Sequence, residues 1–318
     1  MTADSFAVPP ELAGQTVAAV LRRLAPELSW NQVRDLVAAR RVQIDGILCL
    51  DPTRRIKAGE VVTNLAKPVP KPRAATPDGL VIRHLDEHVV VVEKPGGINT
   101  VRHPAEREWA DSKRELDPTL EDLTQWAIAR RLDRSPKSLP RLRVVQRLDK
   151  ETSGLVVFGR THVAERGLGM QFHAHTVRRR YLAVIPGYLA PQRIASDLIP
   201  DRGDGRRGSG RGAGAKHAVT HLDVAERLNG YTMLWCRLET GRTHQIRIHL
   251  SELGHPVCGD RVYQRMVNNE LVPDRSGAPR LALHAAELGF QHPQTTELVQ
   301  WTMPLPRDLA RFLEDLRT

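Results

Sequence analysis

The stretch "VVQRLDKETSGLVVF", Val144–Phe158, sets a polar segment, "QRLDKETSG", between two short apolar runs. Val144-Val145 on one side and Leu155–Phe158 on the other have the composition of buried strands. The segment between them is therefore a loop held by core at both ends, the setting in which a scaffold fixes the geometry of reactive side chains. Asp149 sits in that loop and is a candidate for chemistry, although an aspartate capping the turn would read the same way. The tripeptide Arg-Leu-Asp also occurs at Arg131, Leu132 and Asp133, where it ends a helical pattern and runs into Arg-Ser-Pro-Lys. That aspartate is expected in solvent.

Working outward, strand-like runs recur on both sides: "LVIRHL" (80–85), "HVVVVEK" (88–94), "LRVVQRL" (142–148), "GLVVFGR" (154–160), "RYLAVIPG" (180–187), "HAVTHLDVAERL" (217–228), "YTMLWCRLE" (231–239), "THQIRIHL" (243–250) and "HAAELGF" (284–290). Helical patterns are fewer, around 119–131, 161–175 and 306–317. Short strands separated by turn residues predict an α+β domain with a mixed, largely antiparallel sheet.

The amino-terminal part differs. Val17, Val20, Leu21 and Leu24 fall on one helical face, and Ser29 is placed to cap a second helix with apolar positions Trp30, Val33, Leu36 and Val37. The period then changes to two, with Val42 and Ile44, a turn at Asp45-Gly46, and Leu48 and Leu50, ending near Leu65. Arg22, Arg23, Arg34, Arg40, Arg41, Arg54, Arg55 and Lys57 lie off the apolar positions and favour a phosphate-binding surface over a merely solvated face. "KPVPKPRAATPD", with four prolines, reads as a semi-rigid linker. The expected organisation is a small module over 1–66, a linker over 67–78 and a larger domain over 79–318, in keeping with a length of 318 residues.

Lysine and arginine number 47 against 37 acidic residues, a net charge of +10 with a pI near 10.0. That excess favours a polyanionic partner, first of all nucleic acid. Three scattered cysteines without a C-x-x-C pair, a start without a secretory pattern and no run of eighteen apolar residues point to a cytoplasmic protein with no membrane span.

Several motifs lead nowhere. "GDGRRG" (203–208) fits G-x-G-x-x-G, but it follows Pro200-Asp201 and runs into further glycines and a strand-like stretch rather than a helix. With Arg202, Arg206, Arg207, Arg211 and Lys216 it reads as a basic loop. His217 and His221 on a strand would lie about 13 Å apart, too far to share an ion. His244, His249, His255 and Cys258 lack a carboxylate at ligand spacing, and no G-x-S-x-G is present. Neither a metal nor a cofactor is expected.

In "LETGRTHQIRIHLSELGHPVCGD", from Leu238, strand alternation would put Gln245, Arg247 and His249 on one face. A guanidinium so placed is a fitting partner for Asp149, keeping it ionised, and a purely structural ion pair would look the same.

Taken together, these stretches resemble a pseudouridine synthase of the RluA type with an N-terminal S4-like RNA-binding domain. "GQTVAAVLRRLAPELSWNQVRDLVAARRVQIDGIL" resembles the S4 domain. "DEHVVVVEKPGGINTVRHP", "RLDKETSGLVVFGRT", "RRRYLAVIPG", "LETGRTHQIRIHLSELGHPVCGDRVY" and "LALHAAELGFQHP" resemble the family's motifs, in order. The resemblance implies a bent mixed β-sheet with the cleft along it, Asp149 as the catalytic carboxylate (nucleophile or base), and Tyr181 stacked under the uracil, with a share in removing the C5 proton. It implies Arg247 paired with Asp149 and Arg147 entering the space left by the flipped nucleotide. Lys150 and Arg242 would contact phosphate, and Arg34, Arg40 and Arg41 would bind RNA in the S4-like module. One departure is Gln146, where the family usually has histidine before Arg-Leu-Asp, and the stretch 105–140 is longer and more charged than the family pattern. The expected substrate is structured RNA, ribosomal (large subunit) first and transfer RNA second, and a monomer is the default. The alternative is an RNA-binding assembly factor of the same fold without activity.

Overall fold

Thr16 accepts a hydrogen bond from the Ala19 amide and starts α1 (Val17–Leu24). Ser29 and Gln32 form a reciprocal capping box that starts α2 (Trp30–Ala38). These local signals fold as read, and Val17, Val20, Val33 and Val37 are fully buried. The computed structural model describes residues 4–69, 79–106, 114–115, 117–202, 206–267 and 270–318. The chain divides into two compact units, Met1–Lys71 with Glu108–Asp117 and Pro72–Arg107 with Pro118–Thr318.

In the first unit, β1 (Asp4–Ala7), β2 (Val42–Ile44), β3 (Ile47–Leu48) and β4 (Val61–Asn64) form a sheet in the order β1-β4-β2-β3. Asp45 and Gly46 both take positive φ, 50° and 73°, as a tight two-residue hairpin requires. Trp30 departs from expectation: it is 52% exposed. The buried stripe of α2 begins one turn later, at Val33, because the small core ends there. Of the linker read over 67–78, residues 70–78 lie outside the described residues.

The second unit is built on an eleven-stranded sheet. Its strands are β5 (Ile82–Leu85), β6 (Val89–Lys94), β7 (Arg143–Val144), β8 (Ser153–Gly159), β9 (Arg178–Pro186), β10 (Gln192–Ile199), β11 (Gly208–Ser209), β12 (Lys216–Leu228) and β13 (Tyr231–Leu238). A separate antiparallel pair, β14 (Arg265–Val267) and β15 (Glu270–Val272), precedes β16 (Leu283–Gln291) and β17 (Leu298–Thr302). The order is β11-β10-β12-β13-β9-β16-β8-β6-β5, with β17 on β16 and β7 on β8. Among the described residues only β8 and β16 run parallel, at Ser153–Gly154 against His284–Ala285. The sheet is thus mixed and largely antiparallel.

Why the central strands are continuous apolar runs follows from burial on both faces. Val90, Val92, Val156 and Phe158 join a core with α3 (Leu120–Arg131), which contributes Leu120, Leu123 and Ile128. The alternate residues Val89, Val91, Leu155 and Val157 join a second core with Ala164 and Leu168 of α4 (His162–His173).

The stretch "THQIRIHL" corrects the strand reading: it is the start of helix α5 (Gln245–Glu252). All six residues from Gln245 to Leu250 are buried, so the helix has no wet face to betray a 3.6 period. Ile246 and Leu250 enter the main core, whereas Ile248 packs with Leu198, Ala218 and Tyr263. The polar residues between them are hydrogen-bonded inside, which mimics alternation. A last helix, α6 (Arg307–Arg317), buries Leu309, Phe312 and Leu313. "LRVVQRL" yields only the two-residue β7, and Val144 is 39% exposed. Of "GDGRRG", residues 203–205 lie outside the described residues, and Gly208 begins an edge strand.

Candidate active site

The loop from Val145 to Thr152 is fastened from below. Thr100 Oγ1 donates to the Leu148 carbonyl (2.8 Å) and accepts from its amide (3.0 Å). Lys94, fully buried at the end of β6, donates from Nζ to the carbonyls of Pro95 (3.1 Å), Lys150 (2.9 Å) and Thr152 (2.7 Å). Burial pulls the Lys94 ammonium down to about 7. In the sequence this lysine is marked only by its place, a cation closing the apolar run "HVVVVEK".

Above that base, Asp149 does not spend its carboxylate on the turn. Arg247 on α5 donates from Nη1 to Asp149 Oδ2 at 3.3 Å. The same guanidinium is gripped more firmly by Asp260, with Nε–Oδ2 at 2.7 Å and Nη2–Oδ1 at 2.8 Å. Asp260 is a fully buried carboxylate that also accepts the Val262 and Tyr263 amides. Burial alone would lower the Arg247 pKa, but the Asp260 pair outweighs it and holds it above the ordinary arginine value. Asp260 was not foreseen, though it closes the quoted stretch "GHPVCGD".

His244, grouped in the sequence with His249, His255 and Cys258, belongs to this site. It takes φ 60°, a left-handed conformation uncommon outside glycine, as the residue before α5. Its Nδ1 is 2.9 Å from the Tyr263 hydroxyl, and its Nε2 faces Asp149 Oδ1 at 3.9 Å. Burial lowers its pKa, favouring the neutral ring. His249, on the far side of α5, is bonded to Thr220 and Ser196, with burial pulling it down to about 4. His217 and His221 lie on β12 and face Asp197 and Glu239 separately.

Tyr181 lies on β9, 8% exposed, and burial raises its pKa, so the phenol is neutral. Asp149, Tyr181, Arg147, Arg242 and Arg247 all line one cavity of about 320 Å³. A second hollow, about 460 Å³, shares the Arg147–Asp149 loop and adds Asn99, Thr100 and Lys150. The expected catalytic trio and the three expected nearby cations therefore converge on one groove. Arg147 is exposed at its mouth, and Arg242 donates from Nε to the His217 carbonyl at 3.0 Å. Gln146 donates to the Leu155 carbonyl at 3.3 Å. Arg34, Arg40 and Arg41 are in the other unit, where Arg40 and Arg41 bond the carbonyls of Val69 and Leu65 and Arg34 bonds Asn31. Tethered this way, Arg40 and Arg41 help hold the end of that unit.

A carboxylate, held by a guanidinium that is itself held, lines the same pocket as a neutral aromatic. Such a site suits attack or proton removal at an electrophilic sugar carbon, with no electron transfer required. Residues 88–252, from just before β6 to the end of α5, match the model of the family described as RNA pseudouridylate synthase. The chain belongs to this family. It is accordingly an enzyme, an isomerase acting on RNA. A relative from Nitrosomonas europaea, "Ribosomal large subunit pseudouridine synthase D", is 32% identical over 98% of this chain and 87% of its own length. One of the same description from Xylella fastidiosa is 36% identical over 98% and 91%. A Bacillus subtilis protein, "Uncharacterized RNA pseudouridine synthase YlyB", is 35% identical over 92% and 91%. Among solved structures, "Human RNA Pseudouridylate Synthase Domain Containing 4" superposes with a TM-score of 0.58 at 22% identity, over 74% of this chain and 92% of that one, a likeness of fold. Among the described residues no helix is long and apolar enough to cross a membrane.

Proposed function

We propose that this RNA pseudouridine synthase modifies chosen uridines of large-subunit ribosomal RNA in the cytoplasm, with residues 1–66 serving as an S4-like RNA-binding module. The observation that carries the chemistry is Asp149, held at 3.3 Å by Arg247 in the cavity that Tyr181 also lines. The choice of RNA is supported by near-full-length relatives whose names specify that subunit, and by the net charge of +10.

In the reaction the bond from uracil N1 to ribose C1′ breaks, the base turns, and a bond from C5 to C1′ forms. The proton on C5 is lost and N1 gains one, so the product is an isomer. Asp149 acts first, either on C1′ as nucleophile or on the 2′ position as base, and both routes need the carboxylate ionised. Arg247 holds the carboxylate in position by its hydrogen bond, and Asp260 keeps Arg247 in place. Tyr181, being neutral, serves as the stacking floor for the detached uracil more readily than as a phenolate base. Arg147, exposed at the cavity mouth, fills the space vacated by the extruded nucleotide, offsetting an unstacking cost of a few kcal/mol.

The test is tritium release from large-subunit rRNA transcribed with 5-tritiated uridine. The unaltered enzyme should release tritium at discrete uridines. Asp149→Asn should fold normally and lose at least about a thousandfold in rate, since an amide has neither the charge nor the nucleophilicity. Near-normal turnover by that variant would remove Asp149 from the mechanism, and release only from transfer RNA would redirect the substrate assignment.

A further inference from the structure

Arg179 precedes Tyr181 by two positions on β9, so both side chains leave the sheet on the same face. The residue is 9% exposed and lines the cavity that holds Asp149 and Tyr181. Its guanidinium carbon lies 5.3 Å from the centre of the Phe172 ring. One of its terminal nitrogens packs so close to Gly241 that a Cβ there would stand 2.9 Å away. Room, not backbone conformation, is what glycine supplies at 241.

What this cation lacks is an anion. Among the described residues no carboxylate pairs with it, and its buried Nε donates to no acceptor. Its neighbour Arg180 makes the contrast: although more exposed, it pairs with Glu287 at 3.0 Å and stacks on Trp235. Buried charges in proteins are normally paired, because an uncompensated one gives up hydration for nothing in return. A guanidinium kept unpaired in a substrate cavity has its partner in the substrate. In RNA the permanent full charge is on the phosphodiester, and a guanidinium fork matches its oxygens two at a time. The uracil carbonyls are neutral, and a released base is anionic only in passing, which would leave the cation unmatched before the reaction.

We propose that Arg179 receives a backbone phosphate next to the extruded uridine, and that Gly241 is glycine to leave the guanidinium in position. The assignment rests on the proposal that pseudouridine is formed in this cavity. On the tritiated large-subunit transcript, Arg179→Gln should raise KM about tenfold or more while kcat stays within about threefold. It should also reduce the slope of log KM against log salt by about 0.7–0.9, the share of one phosphate. Arg179→Lys should recover most of the KM, and Gly241→Ala should shift it in the same direction as Arg179→Gln. A synthetic hairpin carrying the uridine modified in that transcript, with a neutral methylphosphonate replacing the 5′ or the 3′ phosphate, supplies the second arm. One of the two hairpins should raise the KM of the unaltered enzyme as Arg179→Gln does, and should cost that variant less than about twofold more. If Arg179→Gln melts early, Arg179→Lys and the methylphosphonate pair on the unaltered enzyme decide the matter. Equal turnover of both methylphosphonate hairpins and the native one overturns the assignment, as does a loss in kcat at unchanged KM, which would give the cation to the released base. No turnover by the unaltered enzyme on any transcript would topple the proposed function itself, and this assignment with it.

Discussion

Replacing Asp260 by alanine removes the bidentate acceptor of Arg247 and leaves Asp149 where it is. The guanidinium is 8% exposed, so it cannot recover water in exchange. Removing one partner of a buried pair costs about 3–5 kcal/mol, mostly the stranded charge of the other. Here Asp149 remains at 3.3 Å, with a side chain 22% exposed, and compensates in part. The amides of Val262 and Tyr263 also lose their acceptor, at about 1 kcal/mol each. An expected loss of about 4 kcal/mol lowers Tm by about 8–16 °C for a domain of this size. Calorimetry gives the Tm, and tritium release gives the activity, which we predict falls at least about a hundredfold as Arg247 shifts off its position. The informative comparison is Arg247→Met combined with Asp260→Leu. With neither charge buried, stability should return to within about 2 kcal/mol of the original while activity stays lost. If the single variant melts within about 2 °C of the original, or the double variant is as unstable as the single, the stranded-charge account is wrong.

Lys94 should leave a pH signature. Its folded value near 7 lies below the ordinary 10.5, so the unfolded chain binds the extra proton between them. Stability should therefore rise with pH from about 7 to about 10.5, by at most about 1.4 kcal/mol per pH unit, and Lys94→Met should flatten that rise; identical urea midpoints against pH in both proteins would falsify the assignment. Gly154 takes φ 133°, and a Cβ there would stand 2.4 Å from the Ala285 carbonyl oxygen. Gly154→Ala should cost more than about 3 kcal/mol, whereas Gly169→Ala, in open space on α4, should gain about 0.5–1 kcal/mol; denaturant titration that ranks them otherwise would count against the close strand approach. Deleting residues 1–66 should weaken RNA binding and flatten its salt dependence while tritium release persists, and unchanged affinity across a salt series would assign that module another task.

Elements with strong local causes were readable from sequence. Ser29 capped the helix it was expected to cap, Asp45-Gly46 turned the hairpin, and the apolar runs of β6 and β8 formed central strands. Strands with little buried surface were not readable: β10 buries only Leu198, and β17 only partly buries Val299 and Trp301. Helix α5 failed for the opposite reason, being enclosed all round, so that its buried polar residues imitated a strand's wet face. In the candidate site, Asp149, Tyr181 and Arg247 were read from the ordered stretches that resemble one family, and the three line one cavity. Asp260, His244 and Arg179 make their contacts between distant segments, which no local pattern in a single sequence marks, whereas Lys94 showed only as a cation closing an apolar run.

The place of β16 between β8 and β9 has a bearing on how the cavity is held together. Without residues 283–291, the strands carrying the aspartate's loop and those carrying the tyrosine are two unjoined half-sheets, because no other strand bridges them among the described residues. A chain cut before residue 283 should therefore release no tritium, since nothing would then hold the two halves of the cavity together.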